Sequence, residues 1–117
     1  MGSKKRPLDK PRHKTSGGAT NEDIYFEQVD QGEKWCVQHV AARDNTSAFS
    51  RLLLGVERQG SYRWIEDTPS PAAGTYYTFH EPIYLYEGDR LVVRFVGTTS
   101  GDSLEAVIRG YEEPLEE

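Results

Sequence analysis

The chain of 117 residues contains one cysteine, Cys36, and one methionine, Met1. A single cysteine excludes an internal disulfide, and its place in an apolar-rich stretch points to a buried, inert thiol. Long apolar runs are missing too. The longest is Leu52-Leu53-Leu54, far short of the roughly 18–20 residues that a membrane helix needs. No apolar segment backs the basic N-terminus, so a secretory signal is not expected. Without one, Asn45-Thr46-Ser47 reads as a polar turn and not as a glycosylation acceptor. Lysine is scarce beyond residue 20, where Lys34 stands against seven arginines. That balance suits planar, multidentate contacts at interfaces, and it is equally the mark of GC-rich codon usage.

The sequence also lacks the constellations that catalysis or metal binding needs. The three histidines are His13, His39 and His80. His13 lies in a segment whose composition fixes no geometry. His39 and Cys36 are three apart on one extended stretch, which points them to opposite faces and excludes a shared metal. Jelly rolls that bind metals use two or three histidines with a carboxylate at correlated strand positions, and no such cluster is visible. No Gly-x-Ser-x-Gly elbow frames a nucleophile and no Gly-x-x-x-x-Gly-Lys loop could cradle phosphates. Glu66-Asp67 reads as a solvated loop mouth and not as a glycosidase pair. The expectation is a protein that is not an enzyme and has no cofactor or metal.

Acids are nearly absent from the first twenty residues, MGSKKRPLDKPRHKTSGGAT, which hold six of the fourteen Lys and Arg residues and one acid, Asp9. Their formal charge of +5 stands on a remainder of −10. Such a composition resists folding alone, and Pro7 and Pro11 favour an extended path. Residues 1–20 are therefore expected to be a flexible basic arm with a reach of roughly 65–70 Å. Lys4, Lys5, Arg6, Lys10, Arg12 and Lys14 are its candidate partner-binding residues. Its target could be nucleic acid phosphates, reached by counterion release, or acidic protein surface, including the body of a neighbouring copy. The acidic remainder favours protein docking.

What the rest of the chain does have is period-two patterning. Ile24-Tyr25-Phe26 opens it. From Trp35 to Ala42, Trp35, Val37 and His39 fall on one face and Cys36, Val40 and Ala42 on the other. Leu52, Leu54 and Val56 alternate with Arg51, Leu53 and Glu57. Val56 to Trp64 reads as a tight hairpin in which Gly60 supplies positive φ. Two prolines mark Thr68 to Gly74 as a loop. Strands follow over 75–80, 83–86, 91–96 and 104–111. About eight strands with frequent turns and no helix predict a single all-β domain over 21–112, an antiparallel β-sandwich of jelly-roll type. Residues 113–117 are expected to be a solvated acidic tail.

Aromatic residues gather in the middle third. Tyr84 and Tyr86 alternate with Ile83 and Leu85, so an aliphatic core pair leaves an outward tyrosine stripe. Tyr62, Trp64, Tyr84 and Tyr86 are candidate interface anchors, with Arg58, Arg63 and Arg94 as candidates for ion pairs across an interface.

An ordered series runs through the C-terminal half: Pro71-Ala72-Ala73-Gly74, Ile83-Tyr84-Leu85, Glu87-Gly88-Asp89-Arg90-Leu91, Phe95-x-Gly97-x-Thr99-x-Gly101-Asp102-x-Leu104 and Gly110-Tyr111-Glu112. Over roughly residues 35–112 the chain resembles the small β-sandwich virion proteins of tailed bacteriophages, of the capsid decoration, head–tail joining or tail accessory kind. The resemblance implies a structural role without catalytic residues, a place in the virion assembled in the host cytoplasm, and homo-oligomers such as trimers or rings. It also implies partners among the major capsid, connector or tail proteins, with no membrane. Two alternatives come from other classes. One is a carbohydrate-binding module that uses the exposed aromatics with Asn45 or Asp67. The other is a regulator that binds nucleic acid through the arm.

Overall fold

The computed structural model describes residues 5–115, and every regular element among them is a strand. These are β1 (Arg6–Thr15), β2 (Asn21–Tyr25), β3 (Glu33–Asp44), β4 (Arg51–Arg58), β5 (Ser61–Pro69), β6 (Tyr77–Phe79), β7 (Ile83–Tyr86), β8 (Arg90–Val96) and β9 (Ser103–Pro114). Sheet A has the order β1-β9-β3-β6, with β7 pairing β3 beside β6. Sheet B has the order β2-β8-β4-β5. All pairings are antiparallel. The two sheets pack face to face around one apolar core, so the β-sandwich that the sequence predicts is the fold.

Alternation builds the core. Leu52, Leu54 and Val56 of β4 register with Phe95, Val93 and Leu91 of β8, and all six are buried in one cluster. From sheet A the cluster takes Leu104, Ala106 and Ile108 of β9 and Ile83 and Leu85 of β7. The β4–β5 turn uses positive φ at both Gln59 (52°) and Gly60 (86°), the pair that a two-residue hairpin requires. Pro69 ends β5, which lies at the edge of sheet B, where a missing N–H is tolerated.

Three expectations are corrected. Within the expected flexible arm of residues 1–20, the described part is not separate: Arg6 to Thr15 form β1, a ninth strand paired with β9 over ten registered positions. Leu8 enters the core at 3% exposure, a burial that stabilises by about 1.5–3 kcal/mol. Pro7 and Pro11 are accommodated because β1 is an edge strand. Likewise, of the tail expected over 113–117, the described residues 113–115 are not free in solvent. Glu113 and Pro114 belong to β9 and register with Lys34 and Glu33, and Leu115 donates its N–H to the Gly32 carbonyl.

The third correction concerns β3. Its register with β9 shifts between Val37 and His39, leaving Gln38 as the extra residue of a bulge. The bulge reverses the phase, so that Trp35 and Val37 face the core together with Val40 and Ala42. Cys36 and His39 consequently share the outer face of sheet A, although simple alternation puts them on opposite faces.

Candidate functional site

The N-terminal cations are held by the chain's own carboxylates. Lys10, Arg12 and Lys14 alternate with outward Pro11 and His13 and so turn toward the open side between the sheets. Lys10 and Arg12 meet Glu27 at 3.4 and 2.5 Å, and Lys14 meets Glu22 at 3.1 Å. Arg6 bridges Glu33 at 2.7 Å and Glu112 at 3.6 Å. Lys10 also lies 5.5 Å from the centre of the Trp35 ring and Arg12 5.9 Å from that of Phe26. Burial pushes the Glu22 carboxyl up, but Lys14 and the N–H groups of Ala19 and Gly17 outweigh it and hold the carboxyl below its ordinary value. Exposed ion pairs contribute about 0–1 kcal/mol each, so Leu8 anchors β1 more than any one of them. Lys5 lies 4.4 Å over the Tyr111 ring, and Lys4 lies outside the described residues.

The four candidate aromatics do not form one stripe. Tyr62 and Trp64 stand on the outer face of sheet B, stacked with ring centres 5.3 Å apart and planes 16° from parallel. Trp64 lies flat on Gly55, where an added β-carbon would come within 2.6 Å of its ring. Arg94 covers both rings, 4.8 Å from Trp64 and 5.4 Å from Tyr62, while donating two hydrogen bonds to Asp23 at 2.8 and 3.0 Å. Those bonds hold the Arg94 guanidinium above its ordinary pKa. Arg90 sits 3.9 Å over Tyr25 and pairs with Glu57 at 2.5 Å, and the Tyr25 and Tyr62 hydroxyls bond each other. Arg51 and Asp67 form a two-bond pair nearby. This face is knit together by its own contacts, although Tyr62 remains 38% exposed.

The outer face of sheet A differs. Ile83 and Leu85 are core, so Tyr84 and Tyr86 project outward at 50% and 44% exposure, as alternation predicts. Cys36 is registered between Tyr84 and Tyr111 and is buried, as expected from its apolar surroundings. Tyr76 adds a third exposed ring at 43%, its hydroxyl donating to Glu105 at 3.1 Å and Arg43 lying 4.3 Å over it.

A cleft of about 560 Å³ opens where the β5 edge faces β6 and β7, walled by Ile65, Phe79 and Pro82 and rimmed by Arg63, Tyr84 and Tyr86. Arg63 has no ion-pair partner among the described residues. Arg58, by contrast, pairs with Asp89 at 2.8 Å and donates to the Glu87 carbonyl. Of the three candidate arginines, two are therefore already satisfied within the chain.

Two clusters escaped the sequence reading. Asp44 and Asp102, buried at 1% and 2% exposure, meet at one end of the sandwich. Asp44 Oδ1 accepts the N–H groups of Thr46 and Ser47, and Asp102 accepts from the Ser47 hydroxyl and the Thr99 N–H. This is the polar turn read from Asn45-Thr46-Ser47. The other cluster is His39 and His80, whose Nδ1 atoms lie 3.1 Å apart. Both pairings are long-range, and sequence spacing carries no signal for them.

No protein-family model matches the sequence, and no curated protein does. Among solved structures, a protein of Bacillus endospore appendages, described as disulfide-linked pili, superposes with a TM-score of 0.59 at 13% identity, over 99% of this chain and 93% of its own. A family 32 carbohydrate-binding module from C. perfringens, in complex with galactose, gives 0.49 at 8% identity over 90% and 98%. A chain of infectious bursal disease virus, Gt strain, gives 0.48 at 10% identity, covering 95% of this chain and 31% of that one. At 13% identity the likeness to the appendage protein is one of fold.

Proposed function

We propose that this chain is a non-enzymatic structural protein of a tailed-phage virion, docking on the capsid or neck through the outer face of sheet A. The observation that carries the reading is the inequality of the two sheet faces. Sheet B's outer aromatics are stacked, capped by arginines and tied to carboxylates, whereas Tyr84 and Tyr86 on sheet A stand half-exposed with no such ring or hydroxyl partner among the described residues. Half-exposed tyrosines offer large rigid area at small entropic cost, the property of interface anchors. The internal pairing of Arg6, Lys10, Arg12 and Lys14 supports contact with protein over contact with nucleic acid phosphates. The spore-appendage protein, whose fold this chain shares, builds pili linked by disulfides. Here Cys36 is buried, so assembly would rest on non-covalent contact.

The test is incorporation into particles. The pair Tyr84→Ala and Tyr86→Ala should reduce incorporation about tenfold, the equivalent of 1.4 kcal/mol, without changing the melting temperature. Tyr62→Ala should leave incorporation unchanged. Full incorporation of the double variant would overturn the reading.

The cleft beside β5 favours a second reading, a carbohydrate-binding module. Two tyrosines and an arginine at the rim of a cleft lined by apolar side chains together with Glu81 and Asp89 suit a sugar ring and its hydroxyls. Saturable glycan binding by the isolated chain, lost on Tyr86→Ala or Arg63→Ala, would favour it over assembly.

A further inference from the structure

We propose that His39 and His80 form a two-histidine chelating site for a borderline divalent transition ion such as Zn²⁺ on the outer face of sheet A. The placement follows from the strand register. Val40 of β3 pairs with Phe79 of β6 and both face the core, so the next antiparallel pair outward is His39 with His80. The Gln38 bulge supplies the phase that turns His39 outward, and the break between β6 and β7 leaves His80 exposed. The rings lie with centres 4.7 Å apart and planes at 42°, with Nδ1 facing Nδ1 at 3.1 Å.

That separation is the bite of a chelate. Two imidazole nitrogens at about 2.0–2.1 Å from one ion lie roughly 2.9 Å apart at a right angle and roughly 3.4 Å apart at the tetrahedral angle. The observed 3.1 Å falls between them, so small ring rotations admit the ion without moving the strands. Metal-free, the rings share one Nδ1 proton, one as donor and one as acceptor. When both Nδ1 lone pairs take the metal, the donor ring's proton moves through solvent to its own Nε2, so each ring stays a neutral imidazole and no net proton is released. Burial first, then His80 and Arg109, hold the His39 pKa below its ordinary value. Arg109, registered opposite His39, is the cation nearest in the ladder, and Asp9 accepts its Nε at 3.4 Å. Among the described residues no group of three or more His, Cys, Asp or Glu gathers there, so water completes the coordination. Such a site takes ions that prefer imidazole and not Ca²⁺ or Mg²⁺.

Isothermal titration of the untagged full chain with Zn²⁺ is the test. One ion per chain should bind, with affinity reduced about tenfold or more by either His39→Gln or His80→Gln. His13→Gln should change nothing, and Mg²⁺ should not compete. Thermal melts of the variants would verify that each remains folded, and His80, being exposed, should be replaceable without loss of stability. Binding that survives either substitution, or that falls with His13→Gln, would overturn the proposal, as would no binding by the wild-type chain.

Discussion

Leu8 stands opposite Gly110 across the β1–β9 ladder, the first buried in the core and the second with no room for a side chain. Gly110 also registers with Val37 beside the bulge of β3, and a β-carbon built on it would lie 2.0 Å from the Cys36 carbonyl oxygen. The obstacle is backbone, which cannot swing aside as a side chain can. Gly110→Ala should therefore cost about 1–3 kcal/mol or more, the range of overpacked cores. Chemical denaturation would measure it, and wild-type stability would mean that β3 and β9 are not so closely apposed.

The same ladder makes the basic N-terminal segment part of the folding unit. Leu8→Ala should destabilise by about 2–5 kcal/mol. Deleting residues 1–20 should do more, because it makes β9 an edge and strips Glu22 and Glu27 of their cations. The truncated chain is expected to melt well below the intact one or to aggregate. A truncated chain with unchanged melting temperature would mean that β1 is dispensable.

The buried Asp44–Asp102 pair predicts a pH dependence with a definite sign. Burial, and then Asp102, push the Asp44 carboxyl above its ordinary value, while the bond from Asp44 holds Asp102 below its own. Asp44 Oδ2 is buried with no hydrogen-bond partner among the described residues. A raised value means that Asp44's contribution is full below the ordinary aspartate pKa and is lost as pH rises through the raised one. A depressed value means that Asp102's contribution is present above the ordinary pKa and is lost as pH falls through the lowered one. Asp44→Asn keeps a donor toward Asp102 with no proton to lose. It should preserve stability near the ordinary aspartate pKa and remove the decline as pH rises above it, as read by urea unfolding across that range. The same decline in the variant would mean that Asp44 is not its source.

Much of this was legible in the sequence wherever one face is apolar and the other polar. Leu52, Leu54 and Val56, and likewise Ile83 and Leu85 with Tyr84 and Tyr86 outside, declare their faces by alternation alone. β1 was not legible because its inward positions other than Leu8 are Lys10, Arg12 and Lys14, whose burial depends on Glu22 and Glu27 being brought opposite by the fold. The bulge at Gln38 was hidden for a related reason. It is set by pairing with β9, some seventy residues away, and nothing near Gln38 marks it. Without it Cys36 and His39 fall on opposite faces, and His39 cannot be joined to His80. Similarly, alternation gives Tyr62 and Trp64 an outward face but does not reveal that Gly55 and Arg94 close over the rings.

Which sheet face touches a partner is read residue by residue by hydroxyl-radical footprinting of the chain, alone and in the assembled particle. Tyr76, Tyr84 and Tyr86 should be oxidised in the isolated chain and protected on assembly, with Tyr62 and Trp64 equally reactive in both. Protection of Tyr62 and Trp64 with Tyr84 and Tyr86 left reactive would contradict docking through sheet A.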